Sequence, residues 1–261
     1  MLLSTQTEFF AEKYGYIEGV ERLCRLGYDC LDLTLTHLGK ADNDPLLTDN
    51  YREIALKIRE TAESHGIRFN QCHAPYRFRD YDFLNNHDTA KDIFFKIRRA
   101  IEIAGIIGAK QIVIHPWHHK NFQSGDREFF FNTNIKFYGE LVDCAKASGV
   151  KIALENMWQK NIYTGKIISD VCSNPHEFAY YIDELNALYG NCFAACLDIG
   201  HCALTGVEPE NAIKVLGNRL GALHIHDNNC EEDEHLLALC GMPDVKAMSS
   251  SLIMYWSEQL K

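Results

Sequence analysis

Short apolar runs alternate with longer amphipathic stretches along the whole chain. The pattern predicts strands over Met1–Glu8, Tyr28–Leu33, Ile67–His73, Ala109–His115, Val150–Glu155, Cys192–Asp198 and Leu220–His226. Between them it predicts helices over Ile17–Leu26, Asp49–His65, His87–Gly108, Arg127–Ser148, Pro175–Tyr189 and Pro209–Arg219, with a last one over Asp244–Leu260. Glycines at 27, 66 and 149 sit where helices should stop, and Pro175 follows Ser173-Asn174, a capping pair before a proline start. Met157–Cys172 and Asp227–Met242 read as loops. No Gly/Ser-rich linker or shift of composition interrupts this rhythm, so residues 1–261 read as one domain.

Strand alternating with helix means a parallel sheet. A Rossmann-type reading needs a glycine-rich turn after the first strand, and Ser4–Glu12 has no glycine. The predicted strands end instead on side chains with lone pairs: His73, His115, Glu155, Asp198, and His224 with His226. Barrel enzymes place their chemistry at the C-terminal ends of several strands, so the pattern favours an α/β fold of the TIM (β/α)8 type. No convincing eighth strand follows Met242, and the resulting exposed seam suggests a homodimer.

At 46% hydrophobic residues the chain can fill a core, and its formal net charge of −10 argues against nucleic acid or anionic membrane as a general partner. The ten cysteines are scattered without CxxC spacing, there is no apolar leader after Met1-Leu2-Leu3, and no apolar run is long enough to span a bilayer. A cytoplasmic protein with reduced thiols is the expectation. Cys72 beside His73 lacks any oxyanion-hole signature, which speaks against a cysteine nucleophile.

Glu155, Asp198 and His224 form the sharpest candidate set: two carboxylates and an imidazole that can share a divalent cation, Mn, Zn, Co or Mg. Each acid alone reads equally well as a cap on the helix that follows. His201 is a ligand or a substrate contact. His226 lies on the same side of its strand as His224, so one of the two at most is a primary ligand and His226 is a candidate substrate contact, with Asp227 able to orient an imidazole. His73 and His115 are further candidates for substrate or metal, as are Asp233 and His235 for an additional metal. Trp117, Trp158 and Tyr76 can wall a sugar ring, and His118-His119-Lys120 reads as a solvated loop.

Leu154-Glu155-Asn156, Leu197-Asp198-Ile199-Gly200-His201 and Leu223-His224-Ile225-His226-Asp227-Asn228, in that order, resemble the sugar phosphate isomerase/epimerase family of the xylose-isomerase-like TIM barrels, a superfamily shared with endonuclease IV-type AP endonucleases. The resemblance implies a metal-dependent isomerase or epimerase of a small sugar or sugar phosphate. Glu155, Asp198 and His224 would hold the metal, Glu155 would be the base, and His201 would contact the substrate. The family's second glutamate belongs on the eighth strand and has no counterpart here. The nuclease branch, a zinc phosphodiesterase with three zinc ions, is the alternative, and His73, His115, His201, Asp233 and His235 fall at positions resembling its larger ligand set. A degenerate, non-catalytic barrel is the third reading.

Overall fold

A computed structural model describes residues 2–40, 43–76, 87–118 and 127–237. The chain divides into two compact units, Met1–Ile114 with Tyr138–Ile152, and His115–Phe137 with Ala153–Lys261. No described helix is long and apolar enough to cross a membrane.

The first unit opens with β1 (Ser4–Gln6), α1 (Glu8–Tyr14) and α2 (Tyr16–Leu23), followed by β2 (Cys30–Thr34), α3 (Tyr51–Ser64), β3 (Arg68–His73), α4 (His87–Ile106) and β4 (Gln111–Val113). The four strands are parallel and pair in chain order, Ser4 with Cys30, Leu33 with Cys72 and His73 with Val113. Every residue of β2 is buried, as expected of a strand covered on both faces. Burial pushes the Cys72 thiol well above its ordinary range, which leaves it inert.

The expected helix over Arg127–Ser148 is two helices, α5 (Arg127–Gly139) and α6 (Val142–Ser148). Gly139 is a poor helix former, and the Leu141 N–H turns back to the Tyr138 carbonyl, three residues away, which breaks the α ladder. α6 ends on Gly149 at φ +68°, a left-handed cap that favours glycine. Gly105 of α4 lies directly against Ser148 of α6, and the close approach leaves no room for a side chain.

The second unit carries the end of β5 (Lys151–Glu155), an antiparallel hairpin of β6 (Trp158–Lys160) and β7 (Ile167–Ser169), then α7 (Pro175–Tyr189), β8 (Phe193–Asp198), α8 (Ile199–Thr205), α9 (Pro209–Leu216) and β9 (Leu220–His224). The sheet order here is β5-β8-β9, and β8 and β9 are parallel with Asp198 opposite His224. α7 starts as the sequence suggests: Pro175 takes the first position, and the Asn174 side chain accepts from the His176 and Glu177 N–H groups. The stretch Met157–Cys172, expected as a loop, contains the β6–β7 hairpin, closed by the Asn161 side chain accepting from Tyr163 and Thr164. The expected helix over Asp244–Leu260 and the place of an eighth strand lie outside the described residues.

Placing a Cβ on Gly105 would bring it to 2.6 Å from the Ser148 carbonyl oxygen, so Gly105→Ala forces α4 and α6 apart. Its expected cost is about 1–3 kcal/mol, read as a lower urea midpoint with an unchanged slope.

Candidate metal centre

Asp198 is the last residue of β8 and the N-cap of α8, and these two positions set the geometry. Its Oδ1 accepts the His201 N–H at 2.8 Å, so the capping role expected of an acid at such a turn is real. The same carboxylate also meets His226 Nε2 at 3.0–3.1 Å and His224 Nδ1 at 3.7 Å. Cap and cluster member are one side chain. The Asn156 side chain fixes this backbone, accepting from Asp198 N at 2.7 Å and donating to Asp198 O at 2.9 Å.

Glu155 ends β5 and is 2% exposed. Its Oε1 lies 3.0 Å from His224 Nδ1 and its Oε2 2.9 Å from His115 Nε2. Donor atoms of Glu155, Asp198 and His224 all fall within 4.8 Å of one another. Asp233 and His235 arrive from the loop after β9: Asp233 Oδ2 is 3.4 Å from both His201 Nε2 and His235 Nε2. The His226 and His235 rings stack in parallel at 4.0 Å. His226, Asp233 and His235 thus make a second group of close donors, and Asp198, His201 and His226 a third.

The electrostatics follow from burying carboxylates beside imidazoles. Burial alone would raise the Glu155 carboxyl, but the charges and hydrogen bonds of His224 and His115 outweigh it and hold Glu155 well below the usual carboxylate range. Asp198 is likewise lowered against burial, by His201 and by hydrogen bonds from His224 and His226. Burial opposes the charged form of His201, yet Asp198 and Asp233 raise it to about 9. Burial is overcome in the same way at His224, where Cys196 and Glu155 raise the imidazole well above its ordinary value. Asp233 is lowered against burial by His201 and His235.

These donors suit a divalent cation. Bonds of about 2.0–2.2 Å let two donors to one ion stand up to about 4.4 Å apart, and His224 Nδ1 lies 3.0 Å from Glu155 Oε1 and 3.7 Å from Asp198 Oδ2. The buried negative charge is balanced by imidazolium groups that a cation can replace. Among the described residues, His226 Nδ1 and Asp233 Oδ1 are buried without a hydrogen-bond partner, and both belong to the second donor group.

Of the other residues singled out in the sequence, His73 ends β3 in the first unit, buried, with Nδ1 on the Ala74 carbonyl at 2.8 Å and its ring 5.8 Å from that of Tyr76. Trp117 is buried, its ring stacked on Phe130 at 5.7 Å, while the Asn134 side chain brackets its backbone N–H and carbonyl. Trp158 is edge-on to His201 at 6.3 Å. Asp227 pairs its backbone with Leu236 and accepts the Asn228 N–H.

Three features escaped sequence reading. Asn156, noticed only inside a motif, also accepts His201 Nδ1 on its carbonyl at 2.8 Å. Gly200, noticed as a turn residue, is where the His226 ring stands: an added Cβ would lie 2.0 Å from that ring. His118, expected in a solvated loop, is buried against Asp170, which is fully buried; His119 and Lys120 lie outside the described residues.

Residues 20–254 match the family described as "Xylose isomerase-like TIM barrel", and the chain belongs to that family. A probable endonuclease 4 of Geobacillus kaustophilus is 29% identical over 181 residues, 65% of this chain and 55% of the relative. The chain spans 62% or less of the length of the first curated relatives it matches. Among solved structures, a D-tagatose 3-epimerase-like protein superposes with a TM-score of 0.71 at 21% identity, over 97% of this chain and 86% of the other. A 3-keto-D-glucoside 4-epimerase from E. coli gives 0.70 at 16%, over 98% and 88%. At these identities the likeness is one of fold.

Ligation requires a neutral imidazole, so cation binding by Glu155, Asp198 and His224 at pH 7 should expel the proton that His224 holds. Calorimetric titration with Mn²⁺ or Zn²⁺ in two buffers of different ionisation enthalpy should show release of at least about one proton per site, with affinity rising between pH 6 and 8. Gly200→Ala drives the His226 ring off Asp198 and should weaken cation binding at least about tenfold, within the range seen when a residue behind a ligand is changed.

Proposed function

We propose that the chain is a divalent-metal-dependent isomerase or epimerase of a sugar or sugar phosphate, with Glu155 as the base that removes the proton next to the carbonyl. The observation that carries this reading is the placement of Glu155. It is a buried carboxylate, ionised throughout the neutral range, whose two oxygens meet His115 and His224 and which shares a donor cluster with Asp198.

Glu155, Asp198 and His224 would hold the cation, which when bound supplies positive charge for a substrate carbonyl and the oxygen beside it. The chain's own groups supply the rest. Glu155 takes the carbon-bound proton. His201, anchored through Nδ1 to the Asn156 carbonyl, presents Nε2 toward Asp233 and would hold a substrate oxygen there. Burial of Glu155, Asp198 and His201 keeps bulk water from competing for these contacts. The substrate class is supported by solved epimerases of the same fold and by a net charge of −10, which disfavours a polyanionic partner.

A zinc phosphodiesterase acting on DNA is the second reading. It is favoured by the donor group of His226, Asp233 and His235 beside the first cluster, and by the curated relative described as a probable endonuclease 4. A non-catalytic barrel predicts no turnover at all.

With the metal-loaded protein in D₂O, ketose probes should gain deuterium at a carbon next to the carbonyl. Glu155→Gln should lower that rate by about 10²–10⁴-fold, and a chelator should abolish it. Three zinc ions per chain together with cleavage of an abasic-site duplex would transfer the assignment to the nuclease reading.

A further inference from the structure

We propose that His118 and Asp170 form a second proton-transfer pair of the same site, with Asp170 the positioning residue and His118 the group that reaches substrate. This rests on the isomerase reading given above.

Asp170 is fully buried and both its oxygens are committed. Oδ1 accepts the Val171 N–H at 2.8 Å, and Oδ2 meets His118 Nδ1 in a short contact. The carboxylate can neither rotate nor reach water. A carboxylate accepting at Nδ1 fixes the proton there and leaves the lone pair of the neutral ring on Nε2. Among the described residues Nε2 has no hydrogen-bond partner. Asp170 therefore orients an imidazole whose working nitrogen is uncommitted, the arrangement that makes a histidine an effective acid–base group.

Two independent links place the pair beside the candidate metal centre. His118 lies three positions after His115, a length of chain that spans at most about 10 Å, and His115 Nε2 touches Glu155 Oε2 at 2.9 Å. On the other side, Met157, two positions after Glu155, donates its N–H to the Val171 carbonyl at 3.0 Å, next to Asp170. The segment after β4 thus meets the end of β5 through His115–Glu155 and the residue after β7 through His118–Asp170. The backbone before His118 is held by Asn134 of α5, which accepts from Trp117 N at 2.7 Å and donates to Trp117 O at 2.8 Å. Ring stacking of Trp117 on Phe130 backs the same turn. His118 is therefore presented by a braced segment.

The chemistry has a place for such a group. Aldose–ketose interconversion moves two protons, one between neighbouring carbons and one between their oxygens. Glu155 removes the proton on carbon; the C–H electron pair becomes the C=C bond of an enediol, and the carbonyl π pair moves to oxygen. The Nε2 lone pair of His118 accepts the hydroxyl proton from one oxygen and returns it to the other. When Glu155 gives its proton to the neighbouring carbon, the new carbonyl forms, and both side chains end as they began. No co-reactant is consumed.

The test separates carbon exchange from isomer formation. Full-length, metal-loaded protein is incubated with D-fructose or D-xylulose in D₂O, and deuterium wash-in and aldose product are followed by NMR. In His118→Gln, wash-in should persist within about threefold of wild type while product falls about 100-fold, with metal content unchanged. Glu155→Gln should lose both. His118→Gly should regain product on addition of free imidazole, which a purely structural histidine would not show. Asp170→Asn keeps the side chain's shape and decides the matter should His118→Gln not fold: retained wash-in with lost product supports the pair, unchanged product overturns it. Equal loss of wash-in and product in folded, metal-loaded His118→Gln also overturns it, as does equal retention. Wild-type protein that exchanges neither sugar overturns the isomerase reading and takes the pair's role with it, whereas wild-type exchange with unaffected His118 variants overturns the pair alone.

Discussion

Glu155 and Asp198 are two buried carboxylates with donor oxygens within 4.8 Å of each other's cluster partners, and the site is organised around the repulsion between them. At an effective dielectric of about 20, two like charges at that separation repel by roughly 3 kcal/mol or more. Positive charge has to be supplied. His224 stands against Glu155 and Asp198, and His201 against both as well, and both imidazoles are raised above their ordinary value; His115 and His226 add hydrogen-bonding contacts to the two acids. The imidazoles and a divalent cation are alternative answers to the same electrostatic demand.

The fold meets this demand by ending strands on acids and imidazoles. β5 ends in Glu155, β8 in Asp198 and β9 in His224, and register pairing puts Asp198 opposite His224. β5 and β8 are buried almost throughout and β9 is partly buried, and residues at strand ends are held more firmly than residues in free loops. The loop after β9 then brings Asp233 and His235 to the outer side of His201 and His226. Asn156 ties the strand ends together with backbone hydrogen bonds that do not depend on any cation. The framework can thus persist while the charges inside it change.

The strand tips were the legible part of this site. A buried strand writes its hydrophobic run into the sequence, and a polar residue at its end is conspicuous; Glu155, Asp198 and His224 were found on that signal alone. Short elements left no such trace. α1 has no buried residue and so no apolar stripe, and α8 is too short for a period to emerge. The β6–β7 hairpin is hard to read because only three residues of each strand pair, too few for an alternating pattern to stand out. His118 carries no sign of burial in the sequence because its neighbours, His119 and Lys120, are polar, while the partner that buries it, Asp170, lies far along the chain. Asn156 is equally inconspicuous, because a side-chain amide that clamps backbone has no compositional signature. Proximity created by folding is the information that periodicity does not carry.

One small feature links positions that look unrelated. The space beside Gly200 is filled by the His226 ring, so the missing side chain of one residue is occupied by the whole side chain of another. The two positions are sterically coupled: a bulkier residue at the first requires a smaller or differently directed one at the second. The glycine in Leu197-Asp198-Ile199-Gly200-His201 is thus half of a two-residue trait, and the distribution of that trait among relatives should mark out which of them build the same second donor group.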